Sequence, residues 1–301
     1  MNNRMFDKVY KYIGKKIYKH QCLREHMPDK MYLQCYWRER LPECGELNIK
    51  NPQTFNEKLN WLKLYDQNPL YTILADKIKV KDYVAKIIGE DHVIPTIKTY
   101  KSGEEIDLDV LPNQFVIKCN HDSGSFIVCK DKKQLDIKKV SSFLNEKLSY
   151  DYYTKNREWP YKNIERRILA EKFVEDDTFE DLVNYKFLCF NGEPKLMYIT
   201  VKTDDIWENF YDMDFKPVDI SYGRRKYDKP IEKPSQFETL KEFARKLSKD
   251  IPFIRVDFYI IKGNVYFSEY TFYDWGGFAK VAPEEWNKQL GDWIVLPSKK
   301  K

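Results

Sequence analysis

The chain has 301 residues, 42% hydrophobic and 16% aromatic, with only 11 Gly and 14 Pro, which is ample apolar material for more than one core and excludes disordered, collagen-like and low-complexity classes. Lys+Arg 52 against Asp+Glu 47 gives a net charge of +5. Residues 1–20 alone hold six cations and one acid, so the rest of the chain is neutral overall, which argues against a nucleic-acid partner, since nucleic-acid binders carry a basic stripe through the folded body.

No apolar run approaches the roughly 20 residues that cross a bilayer. The opening MNNRMFDKVYKYIGKK lacks the apolar core and small-residue cleavage site of a secretion signal, so a cytoplasmic protein is expected. Its six cysteines, Cys22, Cys35, Cys44, Cys119, Cys129 and Cys189, form no CxxC pair and read as reduced thiols. His20, Cys22, His26 and Cys35 are a loose zinc candidate, spaced more widely than structural zinc ligands usually are.

Residues 1–20 place Phe6, Val9, Tyr10, Ile13 and Ile17 at helical spacing with lysines between them. This basic amphipathic helix either packs on its own domain or makes peripheral contact with an anionic membrane surface. Residues 51–89 predict helices with apolar faces at Leu59, Leu62 and Tyr65, then Ile78, Val80, Tyr83, Val84 and Ile87, punctuated by Asn51-Pro52 and Asn68-Pro69. Gly89 and Asp91–Pro95 close the last helix, and a boundary is expected near residue 90. From about 110, strands are predicted at 114–120, 125–130, 167–174, 184–190, 195–201, 253–261 and 265–272, with helices near 132–148 and 235–250. Asn191-Gly192 and Lys262-Gly263-Asn264 are hairpin turns. Mostly antiparallel strands with inserted helices predict an α+β fold.

The most informative segment is the last hairpin. With Gly263 at the centre of a three-residue turn, Asp257 faces Glu269, Arg255 faces Thr271, and period two puts all four on one face. A two-residue turn at Gly263-Asn264 would send Glu269 to the other face. Opposed carboxylates with Cβ atoms roughly 5 Å apart repel each other, so a cation is expected between them. A hard divalent ion, most simply Mg²⁺, suits two carboxylates with phosphate or water in the remaining positions, and Arg255 would reach the same phosphate oxygens. The bland reading is a hydrated polar face.

Two weaker features precede it. In Phe115–Val128, two apolar strands flank a polar loop, His121-Asp122-Ser123-Gly124-Ser125, whose backbone N–H groups can approach an anion, with Lys118 on the polar face just before it. That is either a hairpin closing over nucleotide phosphates or an ordinary polar hairpin. Arg167–Asp177 is an apolar strand ending in acids; it reads as a hinge, with Glu171 accepting from an exocyclic amine and the Phe173 and Val174 backbone reading a purine edge, or as a solvated strand end.

Taken in order, NPQTFNEKLNWLKLYD, ADKIKVKDYV, FVIKCNHDSGSF, ILAEKFVED, NYKFLCFNGEPK and IRVDFYIIKGNVYFSEYTF resemble the ATP-grasp superfamily, and within it the teichuronopeptide-biosynthesis branch. The resemblance implies a helical region over 1–90, a lid lobe over 91–174 and a larger metal-binding lobe over 175–301, two α+β lobes that clasp ATP. By position, Lys118 resembles the phosphate-binding lysine and His121 to Ser125 its flexible loop. Glu171, Phe173 and Val174 resemble the adenine-reading hinge, with Glu175 or Asp177 at the ribose. Asp257 and Glu269 resemble the Mg²⁺-binding acids and Arg255 the phosphate-side arginine. Thr271 stands where many such enzymes carry Asn. Lys186, Asp76-Lys77 and Lys81 match the branch without an assigned role, although Lys186 is counted among the nucleotide-binding candidates.

The implied chemistry is activation of a carboxylate as an acylphosphate, followed by attack of an amine. Lys118 and Arg255 would neutralise the gathered oxygens, and His121 would act as a base toward the amine or as a hydrogen-bonding group. The implied substrates are ATP, a uronic acid or glycan carboxylate, and an amine, in bacterial surface or capsular polysaccharide assembly. Competing classes are a glycosyltransferase, for which Asp212-Met213-Asp214 would be the metal motif, and a nucleotide-binding scaffold without turnover. Arg157, Arg166, Arg224 and Arg225 are acceptor candidates among which the sequence does not choose.

Overall fold

A computed structural model describes residues 21–175, 183–203 and 205–299. The expected basic helix over 1–20 and the ribose candidate Asp177 lie outside them, as do His20 and the side chain of Cys22.

Five helices come first: α1 (Gln21–His26), α2 (Asp29–Arg40), α3 (Phe55–Tyr65), α4 (Pro69–Ala75) and α5 (Lys79–Ile88). Helix α3 starts in a capping box: Thr54 Oγ1 accepts from the Glu57 N–H, and Glu57 Oε2 accepts from the Thr54 N–H at 3.0 Å. Asn68 caps α4, with Pro69 in its first turn. The 51–89 helices therefore fall where their turn residues predict.

Strands β1 (Thr96–Tyr100), β2 (Phe115–Cys119), β3 (Phe126–Cys129) and β4 (Ile168–Lys172) form an antiparallel sheet in the order β1-β4-β2-β3. Helices α6 (Ile137–Ser149) and α7 (Tyr153–Asn156) lie between β3 and β4. Strands β5 (Asn184–Phe190), β6 (Glu193–Lys202), β7 (Ile206–Tyr211), β8 (Pro217–Val218), β9 (Phe253–Ile261) and β10 (Asn264–Thr271) form a second sheet in the order β10-β9-β5-β6-β7-β8. Helix α8 (Phe237–Leu247) buries Phe237, Leu240, Phe243, Ala244 and Leu247, packing across β5, β6 and β9; α9 (Glu284–Trp293) packs on α3. The fold is α+β, as the strand pattern predicts.

There are two apolar cores. The smaller joins Phe115, Ile117, Ile168 and Ala170 to Val140 and Leu144 of α6. The larger runs from Tyr32, Leu33 and Trp37 of α2 through Phe55 and Leu59 of α3 to Phe187, Val256 and Phe258. The N-terminal helices thus share one core with the larger sheet, which gives their side chains access to its loops.

The β9–β10 reversal corrects the expected turn. It is a two-residue turn at Lys262-Gly263 with positive φ at both (50° and 82°), the handedness tight hairpins require. That turn alone would set Ser268 opposite Asp257. A register shift between Phe267 and Glu269 restores the pairing, so that Glu269 opposes Asp257 and Thr271 opposes Arg255. The expected facing holds, by a turn plus a bulge.

Candidate active site

The two sheets enclose a cleft of about 820 Å³. The smaller sheet contributes Lys118, Phe126 and Glu171 to its walls, and loop 122–125 closes one side. The larger sheet contributes Asn184, Lys186, Thr200 and Glu269. Phe173, Val174 and Glu175 line the cleft where the chain leaves β4.

Lysines dominate the lid side. Glu171 accepts from Lys118 Nζ on one carboxylate oxygen and from Lys81 Nζ, 3.0 Å away, on the other. Burial alone would raise the Glu171 carboxyl, but the two ammonium groups hold it below the usual carboxylate range. Both Glu171 oxygens thus orient lysines, and each keeps a lone pair for the expected exocyclic amine. Lys81 also donates to Ile94 O and Thr96 Oγ1, each at 2.8 Å, tying α5 to β1. Lys77 donates to the Asp122 carbonyl, and burial lowers its pKa.

The loop after β2 hangs on Asn120. Its Nδ2 donates to Asp76 Oδ1 at 2.9 Å and to Glu165 O at 3.0 Å, and its Oδ1 accepts from the Arg167 N–H at 2.8 Å. Ser125 donates to Asp122 Oδ1 within the loop. Asp122, Ser123, Gly124 and Ser125 line the cleft as expected, but His121 does not. Its ring is buried against Tyr150 O, 3.2 Å from Nε2, and burial lowers its pKa. His121 is therefore a packed loop anchor in this structure and not a base facing the cleft.

The floor is the mirror case, with one guanidinium shared among acids. Arg255 donates to both oxygens of Asp257 at 2.7 Å, to Glu269 Oε1 at 3.2 Å, to Asp274 Oδ1 at 2.6 Å and to the Tyr198 hydroxyl at 3.0 Å. Burial pushes the Asp257 carboxyl up to about 6 against the pull of Arg255. Lys186, paired with Asp257 across β5–β9, has its Nζ 5.4 Å from the Tyr198 ring centre, and burial lowers its pKa. Asp257 is fully buried, whereas the Glu269 side chain is 40% exposed and opens on the cleft.

Asp274 reaches Arg255 because of an unusual loop. Trp275, Gly276 and Gly277 all have positive φ (50°, 62° and 71°). A Cβ on Gly276 would lie 2.8 Å from Asn156 Nδ2, so a larger residue there would push that amide off Glu158. Helix α3 holds the loop through one buried polar stripe. Asn56 Nδ2 donates to Ala279 O at 2.8 Å, Asn60 Nδ2 to Gly277 O at 2.8 Å, and Lys63 Nζ to Gly276 O at 2.6 Å. Burial lowers Lys63 to about 7.

Sequence reasoning missed Tyr198 and Asp274 and assigned no role to Lys77 or Lys81. Lys77 and Lys81, four apart where α5 begins, were the available signal. Asn56, Asn60 and Lys63, at helical spacing among buried Phe55, Leu59 and Leu62, were another.

Other candidates fall away. Asp212 Oδ1 accepts from the Asp214 and Lys216 N–H groups, so the DxD run caps an exposed turn. Cys35 is buried in the core, and the five described cysteines are free. Among the described residues no three His, Cys, Asp or Glu side chains are grouped to hold a metal, and no helix is long and apolar enough to cross a membrane. Of the four hairpin candidates only Glu269 lines the cleft; Arg255, Asp257 and Thr271, which opposes Arg255, do not.

Two carboxylates across one strand pair, without a third protein ligand, suit a hard dication that draws its other ligands from phosphate and water. Glu269 has an oxygen without a hydrogen-bond donor, and each Asp257 oxygen keeps a lone pair beyond the Arg255 bond, so the donor chemistry fits.

The family model for TupA-like ATPgrasp matches residues 57–295. Comparison with curated proteins returns no match. Among solved structures, D-alanine–D-alanine ligase from Bacillus anthracis is 18% identical, with a TM-score of 0.41 over 66% of this chain and 56% of that one. An ADP complex of N5-carboxyaminoimidazole ribonucleotide synthetase is 12% identical, with a TM-score of 0.45 over 72% and 50%. N5-carboxyaminoimidazole synthase from Aspergillus clavatus, in complex with ADP and its ribonucleotide, is 13% identical, with a TM-score of 0.39 over 66% and 44%. The chain thus spans 44–56% of the length of these three structures. With its family match covering 57–295, the chain belongs to the TupA-like ATP-grasp family.

Proposed function

We propose that the chain is an ATP-dependent carboxylate–amine ligase that forms an amide and releases ADP and phosphate. In this reading residues 91–174 are the lid and 175–301 the floor, with the helices before residue 90 packed beneath the floor. The acid is a uronic acid or glycan carboxylate of a bacterial surface polysaccharide, and the amine an amino compound. Resemblance to the teichuronopeptide branch supports that setting.

The observation that carries the proposal is the opposed charge of the two cleft walls. Lys118 of the lid, and Lys81 and Lys77 from the helical region beside it, outnumber Glu171 and Asp122 on one side of the cleft, while Glu269, and Asp257 and Asp274 buried behind it, outnumber Arg255 and Lys186 on the other. A polyphosphate suits the first wall and is repelled by the second unless a dication intervenes. Asp257 and Glu269 would hold Mg²⁺, with Thr271 as a weaker candidate. When bound, that ion supplies positive charge to the transferring phosphoryl oxygens.

The protein groups have distinct tasks. Lys118, oriented by Glu171, neutralises phosphate oxygens; Arg255, fixed by Asp257 and Asp274, faces the reacting acid. Lys186 adds a second floor cation. The purine lies at Phe173 and Val174, and Ser123, Gly124 and Ser125 close over the phosphates and exclude water, which would otherwise hydrolyse the acylphosphate. In the balanced reaction a carboxylate oxygen takes the terminal phosphoryl group from ATP, ADP leaves, and the amine nitrogen then displaces phosphate from the acyl carbon as it loses its protons.

The test is to incubate the protein with ATP, Mg²⁺ and panels of uronic acids and amines. ADP and phosphate formed only when both partners are present support ligation. Sugar transfer from a nucleotide sugar without ATP would replace it with a glycosyltransferase, and ATP binding without turnover on any pair would leave a scaffold.

A further inference from the structure

Arg255 also adjoins a second polar cluster, whose residues are not among those lining the cleft and, Asp274 apart, have no task in the ligase reading. Glu208 of β7 is 5% exposed, Tyr222 is 2% and Asp274 is 0%. Tyr222 packs edge to face on Tyr198, whose hydroxyl lies 3.0 Å from Asp274 Oδ1, and the Glu208 and Asp274 carboxyls are close enough for their charges to act on each other. Arg224 Nε lies 3.2 Å from Glu208 Oε1, and its guanidinium carbon is 5.0 Å from the centre of the Trp275 ring. Tyr222 meets Trp275 edge to face at 6.5 Å.

What makes the cluster informative is what it leaves unsatisfied. Glu208 Oε2, Asp274 Oδ2 and the Tyr222 hydroxyl have no hydrogen-bond partner among the described residues. A buried polar atom without a partner costs roughly 1–3 kcal/mol, and three near one another can be satisfied by a molecule that brings several donors. An ammonium ion is a poorer match than a neutral donor, because Arg224 already lies against Glu208 and Arg255 against Asp274. Neutral hydroxyls supply donors without adding charge, and the half-buried Trp275 ring offers an apolar face to a sugar's C–H groups.

The remaining arginines are committed elsewhere. Arg157 is 2% exposed, 2.9 Å from Asp29, and donates to the carbonyls of Thr154, Arg24 and Met27. Arg166 donates to Leu148 O and Ser149 O. Arg225 is exposed on the backbone bridge to Trp207. Arg224 alone stands beside the Asp274–Arg255 pair.

We propose that Glu208, Tyr222, Arg224, Asp274 and Trp275 form a subsite for a polyhydroxylated acid, a sugar carboxylate, whose hydroxyl groups bind here while its carboxylate lies toward Arg255 and Glu269. The subsite rests on the ligase reading for its role, because the acid held here is the one to be activated. It goes further in assigning the residues that tell a sugar acid from any other carboxylate. A site built to hydrogen-bond hydroxyls rejects an analogue that lacks them, since its own polar groups then stay unpaired.

The test is calorimetric titration of the full-length, ADP-loaded protein with D-galacturonate, D-glucuronate and cyclohexanecarboxylate, which has equal charge and ring size but no hydroxyls. At least one uronate should bind about tenfold or more tightly than cyclohexanecarboxylate. Tyr222→Phe, which keeps the ring contacts with Phe210 and Tyr198, should weaken that uronate about five- to tenfold and leave ADP and cyclohexanecarboxylate unchanged. Arg224→Ala should weaken the uronate further. Equal affinity for the three acids, no binding of either uronate, or an equal effect of Tyr222→Phe on both ligand types would each overturn the subsite. Because nothing is turned over, these outcomes are separate from failure of the ligase reading, which is the absence of ADP formation with any acid and amine.

Discussion

The two walls of the cleft divide charge in opposite ways. On the lid side one carboxylate, Glu171, is shared by two lysines whose side chains remain 22% and 15% exposed. On the floor one guanidinium, Arg255, is shared by Asp257, Glu269 and Asp274, and it is only 9% exposed. Lys118, whose hydrogen bond goes to that one shared anion, can swing to a ligand at modest cost, whereas Lys81 in three hydrogen bonds and a buried guanidinium in several cannot. The lid therefore looks built to meet an anion, and the floor to stay fixed while one arrives. Helix α3 reinforces that rigidity by holding the loop of Asp274 from below.

Asp257→Asn should disturb the floor most. The amide keeps one acceptor oxygen for Arg255 but sets an N–H against the other guanidinium N–H, so the variant should fold with a melting temperature lowered by about 5–10 °C. It removes a negative charge from the centre of the floor, and turnover should fall on the order of 10³-fold. Activity close to the parent's, measured as ADP release, would dismiss the metal assignment.

Two lysine variants sharpen the contrast within the lid. Lys118→Met leaves Glu171 paired with Lys81, so stability should change little while ATP binding weakens about tenfold or more. Lys81→Met removes the ties to Ile94, Thr96 and Glu171 together, so it should lower the melting temperature more than Lys118→Met does. Titration of a fluorescent ATP analogue with parallel thermal melts checks both. Identical behaviour of the two variants would mean that Lys118 and Lys81 are not divided between ligand and scaffold.

Much of the floor was legible in the sequence because its signals are local. Asn191-Gly192 turns with positive φ at both residues (51° and 86°), and the alternation through 253–261 gives the face that carries Arg255 and Asp257. The bulge at Ser268 has no such signal; nothing in VYFSEYTF separates a straight strand from a shifted one, and only pairing with β9 exposes it. The lid was less legible because its lysines meet at long range: Lys118 lies 53 residues from Glu171, and Lys81 lies 90. His121 failed for a related reason, since a histidine in a polar loop looks available until α6 is folded against it and Tyr150 takes its ring. The stripe Asn56-Asn60-Lys63 would be read as a solvated face in any isolated amphipathic helix, and becomes a clasp only when the loop at 276–279 is laid over it.

The smallest effect expected concerns pH and tests how dry the far end of the floor is. Burial, aided by Asp274, raises Glu208 to about 7 against the pull of Lys186, Arg224 and Arg255. A carboxyl raised in the folded state holds a proton there that the unfolded chain has already released near its usual value. Between about pH 4.5 and pH 7 the folded form therefore binds more protons, stability falls as pH rises, and the cost is complete above pH 7. Glu208→Gln cannot titrate, so relative to the parent it should gain on the order of 1–2 kcal/mol between pH 5 and pH 8, a shift of a few degrees in the melting difference. Any constant penalty from leaving Arg224 without its carboxylate cancels in that difference. A melting difference that does not vary with pH would mean that Glu208 is solvated, and would remove the dry environment on which its unpaired oxygen depends.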